Sequence, residues 1–482
     1  MFCKGASVYF VGIKGTGVCA LAELLHNNGY KVSGSDTPEI FYTDKILKKL
    51  NIPYHEGFDS AHIDGNIDFI IHSAAYNESS NPELARAQEL NIPIYKYTDA
   101  LGQWSAEFDS CGVCGVHGKT TTTAMCGVLT RAADLPAQIL MGSASLDFDG
   151  SQVLSLGNKY FIAETCEYRK HFLSFHPKRI ILTSVESDHQ DYFPDYNSIR
   201  DAFIEYCRLL PKGGQLIYCA DDQGASEVAQ IIREENRGVE LVPYGFTACG
   251  DYKIESYNVE KERAVFKIAG LPVDFNLKIP GRHEALNAAA AIALTVSLAK
   301  KEFNEALSEE KLQSIKKALE NFKSTKRRSE IIGEADGIIF MDDYGHHPTA
   351  IKTTLEGIKS FYTNRRLIVS FMAHTYSRTS ALLDDFASAF NCADILFLHK
   401  IYASARENYS GQVDSKVLFE KTAAARKGET CFIDEPDDAF TPLSKLLKKG
   451  DLFITLGAGN NWLLGEKLFN HFNSADKKGD SS

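Results

Sequence analysis

The chain has 482 residues, too many for one hydrophobic core, so about three domains are expected. Hydrophobic residues make up 44% and charged residues 24%, the make-up of an ordinary globular protein; 52 basic against 63 acidic residues leave a net charge of −11, which argues against a nucleic-acid partner. No apolar run approaches the ~18 residues of a membrane span, and the start, Met-Phe-Cys-Lys-Gly, lacks a secretory pattern, so a cytoplasmic protein without membrane insertion is expected.

A short apolar strand over 8–11 leads into Gly12-Ile-Lys-Gly-Thr-Gly17. A helix over about 18–28 follows, and a strand over 31–35 ends in Asp36. This is a β–α–β unit with a right-handed crossover. The glycines miss the G-x-G-x-x-G pattern because Lys14 holds the middle position, although Asp36 follows as in a dinucleotide fingerprint. A nicotinamide-type cofactor is one reading; the safer one is a phosphate or diphosphate at the helix N-terminus. Strands over 69–73 and 94–97 complete a small doubly wound domain, placed at 1–103.

The second domain, 104–322, opens with Ser110-Cys-Gly-Val-Cys-Gly-Val-His-Gly-Lys-Thr-Thr-Thr-Thr123. A strand feeding a glycine-rich turn at a helix N-terminus presents backbone N–H groups to an anion. Lys119 would reach the terminal phosphates and the Thr120 hydroxyl could hold Mg²⁺. The spacing departs from G-x-x-x-x-G-K-[ST], with Val113 where the first glycine belongs. Cys111 and Cys114 invite a redox reading. Positions i and i+3 of a strand face opposite sides, however, so packing is the expected role, and eleven scattered cysteines fit reduced thiols. Glu164 ends an apolar strand over 160–164, and His189 follows another over 179–185. Both stand where α/β sheets hold ligands, and a carboxylate and an imidazole there could share Mg²⁺ with phosphate oxygens. A helix over 197–210, a strand over 215–218, antiparallel strands within about 240–280 and an alanine-rich helix over 281–300 complete the domain. His283 and Asn287 share one face of that helix, as surface capping or as ligand contacts.

The third domain, 323–482, alternates strands over 337–341, 367–372, 394–398 and 452–456 with helices near 348–360, 380–391, 413–425 and 436–448, a further doubly wound sheet. The polar tail 474–482 is expected to fray. Arg327-Arg328, at the junction, is either a solvated pair or a cation that reaches the γ-phosphate on closure. Asp342-Asp-Tyr-Gly-His-His-Pro348 joins a strand to a helix and is dense in chemistry for a plain connection. His374 and Arg378 follow the next strand, and an arginine there suits a carboxylate.

Taken together these elements resemble the Mur ligase family over essentially the whole chain. The resemblance rests on Gly12–Gly17, Gly115-Val-His-Gly-Lys-Thr-Thr121, Glu164-Thr-Cys-Glu167, Asp188-His-Gln-Asp191, Pro280-Gly-Arg-His with Asn287, Arg327-Arg328, the 342–348 element and His374-Thr-Tyr-Ser-Arg-Thr379. It implies an α/β protein of three domains: a Rossmann-like one for a UDP-sugar, a phosphate-loop ATPase domain with a mostly parallel sheet, and a C-terminal doubly wound one for the amino acid. It also implies ATP- and Mg²⁺-dependent amide formation through an acyl phosphate. The 342–348 element points to the alanine-adding branch, with UDP-N-acetylmuramate and L-alanine as partners; a sister ligase for another amino acid or a peptide is the alternative. A monomer or homodimer is expected.

By matching position, Lys119, Glu164, His189, His347 and Arg378 would be catalytic. ATP would meet Gly115, Val116, His117, Gly118, Lys119, Thr120, Thr121, Asn287 and Arg327. The UDP-sugar would meet Gly15, Thr16, Gly17, Asp36 and Ser73, and alanine His347 and Arg378. Thr120 and Glu164 would hold one Mg²⁺ and His189 a second. Closure of the third domain onto the second is expected, since residues on separate domains must meet. Lys14, Val116, Glu284, Ser329, Met372-Ala373 and Thr375 depart from the family's pattern. A non-catalytic nucleotide-binding protein on this scaffold would have lost Lys119, Glu164 or His189, and all three are present.

Overall fold

The computed structural model describes residues 3–77, 79–189, 192–260, 262–403 and 413–479, with side chains to 474. Four sheets carry the described residues. The first holds β1 (Ser7–Val11), β2 (Lys31–Asp36), β3 (Tyr54–Glu56), β4 (Phe69–His72) and β5 (Ile94–Lys96), in the order β3-β2-β1-β4-β5 and parallel throughout. Their buried centres, such as Val8-Tyr-Phe-Val11, are near-continuous apolar runs because helices cover both faces. The order reverses between β1 and β4. The loop after β1 therefore opens beside the end of β4, the crevice where such sheets take ligands.

The second sheet runs β12-β11-β10-β6-β9-β7-β8: β6 (Asp109–Cys114), β7 (Ala137–Ser145), β8 (Ser151–Ser155), β9 (Tyr160–Glu164), β10 (Arg179–Leu182), β11 (Gln215–Cys219) and β12 (Glu240–Tyr244). Only the pair β7–β8 is antiparallel in it. β6 lies between β9 and β10, so the ends of all three share one edge. Cys111 and Cys114 point into different cores on the two faces of β6, as the strand period requires. Burial pushes the Cys111 thiol up to about 12, the mark of a packing residue.

A small antiparallel sheet, β13 (Ile254–Val259), β14 (Ala264–Ile268) and β15 (Asp274–Leu277), precedes the long helix Arg282–Phe303. The last sheet, β16-β17-β21-β18-β19-β20, comprises β16 (Glu330–Ala335), β17 (Ile338–Asp343), β18 (Arg366–Met372), β19 (Ile395–Leu398), β20 (Glu429–Phe432) and β21 (Asp451–Gly457), with β16 an antiparallel edge.

The expected fold class is the observed one, with local corrections. Residues 240–244 are a parallel edge strand, not part of the antiparallel sheet. The helix expected at 380–391 is two short ones, Tyr376–Ala381 and Leu383–Ser388. The helix Asn461–Gly479 runs through most of the tail expected to fray, and residues 480–482 lie outside the described ones. The divide placed at 103/104 falls inside a helix, Tyr97–Ala106, whose Gly102 packs against the Ser174 carbonyl.

Candidate active site

The turn after β6 exists because two positions can hold only glycine. Gly115 has φ 131° and a Cβ there would fall 2.1 Å from Thr183 Oγ1; Gly118 has φ 80° and a Cβ would fall 2.5 Å from Asn287 Oδ1. Val116 donates its N–H to the Ser184 carbonyl (3.1 Å) and packs its side chain on the core, which accounts for an aliphatic residue there. Lys119 and Thr120 then open the helix Lys119–Ala132, whose first N–H groups and dipole face the turn.

Lys119 donates to the Gly115 carbonyl and to both oxygens of Glu167, at 3.0 and 3.2 Å. Burial works against its charge, but Glu167 and neighbouring acidic groups hold its pKa above the usual value. For Glu167, burial likewise works against the charged form, and Lys119 with His189 pulls the carboxyl below its usual range. The pair is ionised. Glu164 accepts from the Thr120 hydroxyl (2.9 Å) and the Gly142 N–H (2.8 Å), and His189 Nε2 lies 3.5 Å from Glu167. Lys119, Glu164 and His189, far apart in sequence, thus converge, with Glu167 as the link that sequence reasoning left without a role. Gln190 and Asp191 lie outside the described residues.

A cavity of about 280 Å³ opens beside the loop, lined among others by His117, Thr120, Thr121, His283, Asn287 and Arg328. Asn287 is fixed on both sides: Thr122 donates to it (3.2 Å) and it donates to Glu284 (3.0 Å). Glu284, which also lies 3.3 Å from His283, therefore positions the asparagine. Arg327 turns away from the cavity. It donates to Asp342 (3.0 Å) and the Gly457 carbonyl (2.7 Å) and stacks over Tyr344, while its neighbour Arg328 lines the cavity. Left-handed φ angles at Arg327 (61°) and Ser329 (44°) set which arginine faces inward. Burial pushes Asp342 up to about 6 even with Arg327 alongside.

Two of the polar contacts between the last sheet's domain and the second sheet bear on the site. Arg378, 6% exposed, grips Asp188 Oδ1 through Nε (3.1 Å) and Nη2 (2.7 Å). Burial alone would raise the Asp188 carboxyl, yet Arg378 holds it well below the usual range. His346 lies in this cluster, its ring 5.4 Å from His374, and burial together with Arg378 keeps it neutral. Its Nδ1 donates to the Tyr344 carbonyl (2.8 Å), an assignment that leaves Nε2 as an acceptor. His347 faces the other way: its Nδ1 lies 3.0 Å from Glu186, which accepts from His117 Nε2 (2.7 Å). The histidine expected beside Arg378 is therefore His346, and His347 belongs with the nucleotide loop. Adjacent residues entering a helix diverge, and no sequence pattern says which one faces which neighbour. Thr375, with φ 68°, caps the helix that carries Arg378, and Met372 and Ala373 are buried in the core.

In the first domain Gly12 (φ 83°) packs against Ser73 and Tyr76, and Ser73 donates its N–H to the Val11 carbonyl (2.9 Å). Gly15, Thr16 and Gly17 start the helix Thr16–Asn27, with Gly17 under Tyr97. Asp36 closes the loop by accepting from the Lys14 (2.7 Å) and Thr37 (2.8 Å) amides. Lys14 itself is 1% exposed: its ammonium turns under the loop to the Thr37 and Glu39 carbonyls (3.0 Å each) and Asp44 (3.2 Å). It adds no cation to the crevice.

Three family models cover these sheets in order: the Mur ligase family catalytic domain over 7–109, the Mur ligase middle domain over 113–295, and the Mur ligase glutamate ligase domain over 327–459. A UDP-N-acetylmuramate–L-alanine ligase of Treponema pallidum is 49% identical over 470 residues, 97% of each chain. The chain belongs to the Mur ligase family. A Borreliella burgdorferi ligase of the same description is 41% identical over 467 residues, 96% of this chain and 98% of that one. Among solved structures, the Thermotoga maritima UDP-N-acetylmuramate–alanine ligase superposes with a TM-score of 0.75 at 24% identity, covering 97% of this chain and 99% of that one, a likeness of fold. Within this Mur ligase the phosphate loop, the Glu164 strand end and the Asp188 loop share one sheet edge, and the 342–348 and 374–378 elements face them from another.

Proposed function

We propose that this Mur ligase joins L-alanine to the lactyl carboxylate of UDP-N-acetylmuramate, converting ATP to ADP and phosphate. The observation that carries the choice of substrates is the full-length likeness to two ligases of that description. The observed geometry supports the chemistry. The loop after β1 and Ser73, at the switch point of the first sheet, would take the UDP diphosphate. Residues 115–121 with Asn287 and Arg328 would hold ATP in the cavity.

Phosphoryl transfer needs alignment and charge neutralisation rather than covalent help. Lys119, ionised and half-buried, supplies a fixed positive charge at the loop mouth. The Thr120 hydroxyl and Glu164 carboxylate are hard oxygen donors side by side, and Glu167 and His189 frame a second position; these residues fit Mg²⁺, which when bound would offset phosphate charge. The lactyl carboxylate attacks the γ-phosphorus and ADP departs. The alanine amine then attacks the acyl carbon and phosphate leaves. Arg378 would grip the alanine carboxylate. His346, its Nδ1 committed to the Tyr344 carbonyl, would offer Nε2 as a hydrogen-bond acceptor that orients the amine, whose proton leaves with the departing phosphate. Docking of the third domain keeps water from the acyl phosphate. With nucleotide and UDP-sugar as substrates, work in the cytoplasm follows.

Phosphate release is to be measured with UDP-N-acetylmuramate and L-alanine, glycine, serine or a tripeptide in turn. The highest kcat/KM is expected with alanine; faster turnover of the tripeptide would overturn this reading in favour of a peptide-adding sister enzyme.

A further inference from the structure

A histidine and carboxylate cluster lies between the nucleotide loop and the last sheet, and of its members only His117, as part of residues 115–121, has a part in the chemistry above. His117 lies in the turn after β6, Glu186 in the loop after β10, and His347 directly before the helix Pro348–Phe361. Their ligand atoms all lie within 4.8 Å of one another, with Glu186 Oε1 2.7 Å from His117 Nε2 and 3.0 Å from His347 Nδ1. His347 is 7% exposed, and among the described residues neither of its ring nitrogens has an aligned hydrogen-bond partner, the approach of Nδ1 to Glu186 being off the hydrogen-bond line. An imidazole buried with both nitrogens unsatisfied is costly and calls for a ligand.

We propose that His117, Glu186 and His347 form a binding site for a divalent transition metal, Zn²⁺ foremost, that staples the nucleotide loop to the last sheet. Two imidazoles and one carboxylate are a three-ligand set that zinc takes with a water or other ligand in the fourth place. Zinc–ligand distances of about 2.0–2.2 Å put tetrahedral donors roughly 3.3 Å apart, so small side-chain rotations convert the observed cluster into a coordination sphere. Two nitrogen ligands to one oxygen favour a transition metal over Mg²⁺, which the oxygen-richer set of Thr120, Glu164 and Glu167 suits better. His117 also borders the cavity beside the loop, which leaves room for the fourth ligand.

The two consequences are mechanical. A metal here ties residues of two sheets that must separate for product release, and it immobilises the loop residue next to Gly118. Zn²⁺ is therefore expected to bind the folded chain in the absence of any nucleotide, to raise its thermal midpoint, and to slow ligation by opposing ATP.

The test is a titration of the metal-free, full-length protein with Co²⁺ as a spectroscopic substitute, followed by displacement with Zn²⁺ and a parallel calorimetric titration with Mg²⁺. A single equivalent with visible bands of a nitrogen- and oxygen-ligated ion is expected, displaced by Zn²⁺ and unaffected by Mg²⁺. His347→Gln and Glu186→Gln should each weaken it by at least about tenfold, since even loss of an outer partner costs ten- to a hundredfold, and circular dichroism checks their folding. His189→Gln should leave the signal in place. Thiolate charge-transfer bands would overturn the assignment, because Cys3, Cys166 and Cys249 are exposed alternatives. So would loss of the signal in His189→Gln, its survival in both His347→Gln and Glu186→Gln, or no stoichiometric binding to the wild-type chain.

Discussion

Two glycine-rich loops of this protein, one after β1 and one after β6, each carry a lysine, and the two lysines do opposite things. Lys119 sits at the start of a helix and meets Glu167 across the loop mouth, where its charge is available to a phosphate. Lys14 sits one residue before Gly15 and dives beneath its loop, where Asp44 and two carbonyls absorb its charge. The difference lies in the partners. A carboxylate beyond the loop draws one side chain outward; a carboxylate at the start of the helix Asp44–Lys49, with Tyr54 beneath, draws the other inward. A lysine in a phosphate loop is a phosphate ligand only if the surrounding acids leave it facing the phosphate.

The sharpest way to break this comparison is to remove each lysine. Lys119→Ala is expected to lower the rate of ATP-dependent phosphate release by about 10²–10³, the usual loss for one preorganised donor, while leaving UDP-N-acetylmuramate binding by calorimetry intact. Wild-type turnover in this variant would refute the role of the loop. Lys14→Met strands Asp44 beneath the first loop. It should cost about 1–3 kcal/mol in chemical denaturation and leave the saturated rate of phosphate release at the wild-type level; a collapse of that rate in a folded protein would show that Lys14 acts on substrate.

The smallest effect is in acid. Burial opposes ionisation of both Glu167 and Asp44, but Lys119 and His189 in the first case, and Tyr54, the Phe41 amide and Lys14 in the second, leave both folded pKa values below the ordinary 4.5 and 3.8. A carboxylate with a depressed folded pKa stabilises the protein above its unfolded value and loses that contribution as pH falls through the folded one. Urea midpoints should therefore fall on acidification below about pH 4.5, and slightly less steeply for Lys14→Met, which loses the share of the Asp44 shift that Lys14 supplies while Tyr54 and the Phe41 amide keep theirs. A variant slope steeper than wild type would sink the pairing.

The three mostly parallel sheets were legible because apolar runs and β–α alternation report burial on both faces, and the phosphate loop because only glycine fits where Thr183 and Asn287 press. What stayed hidden was direction. β16 and β20 are edge strands with mixed burial, Glu330–Ala335 and Glu429–Phe432, and so carry no clean period. Arg327 against Arg328, and His346 against His347, are choices between neighbours made by backbone twist and by partners distant in sequence. Glu167 stood in plain view two residues after Thr165, yet its place between Lys119 and His189 depends on the turn that follows β9. Likewise Asp188 reads as an ordinary loop acid until Arg378 arrives from another sheet.

That last contact bears on how the protein is made. The phosphate loop leaves the ribosome early, but Arg378, which docks on Asp188, follows Lys119 by about 260 residues, roughly 13–50 s at ordinary rates of synthesis. Throughout that interval a nascent chain has a nucleotide loop without the element that would bring an amino acid to it. The site is finished only by its most distant part, so the order of synthesis itself postpones activity until nearly four-fifths of the chain exists.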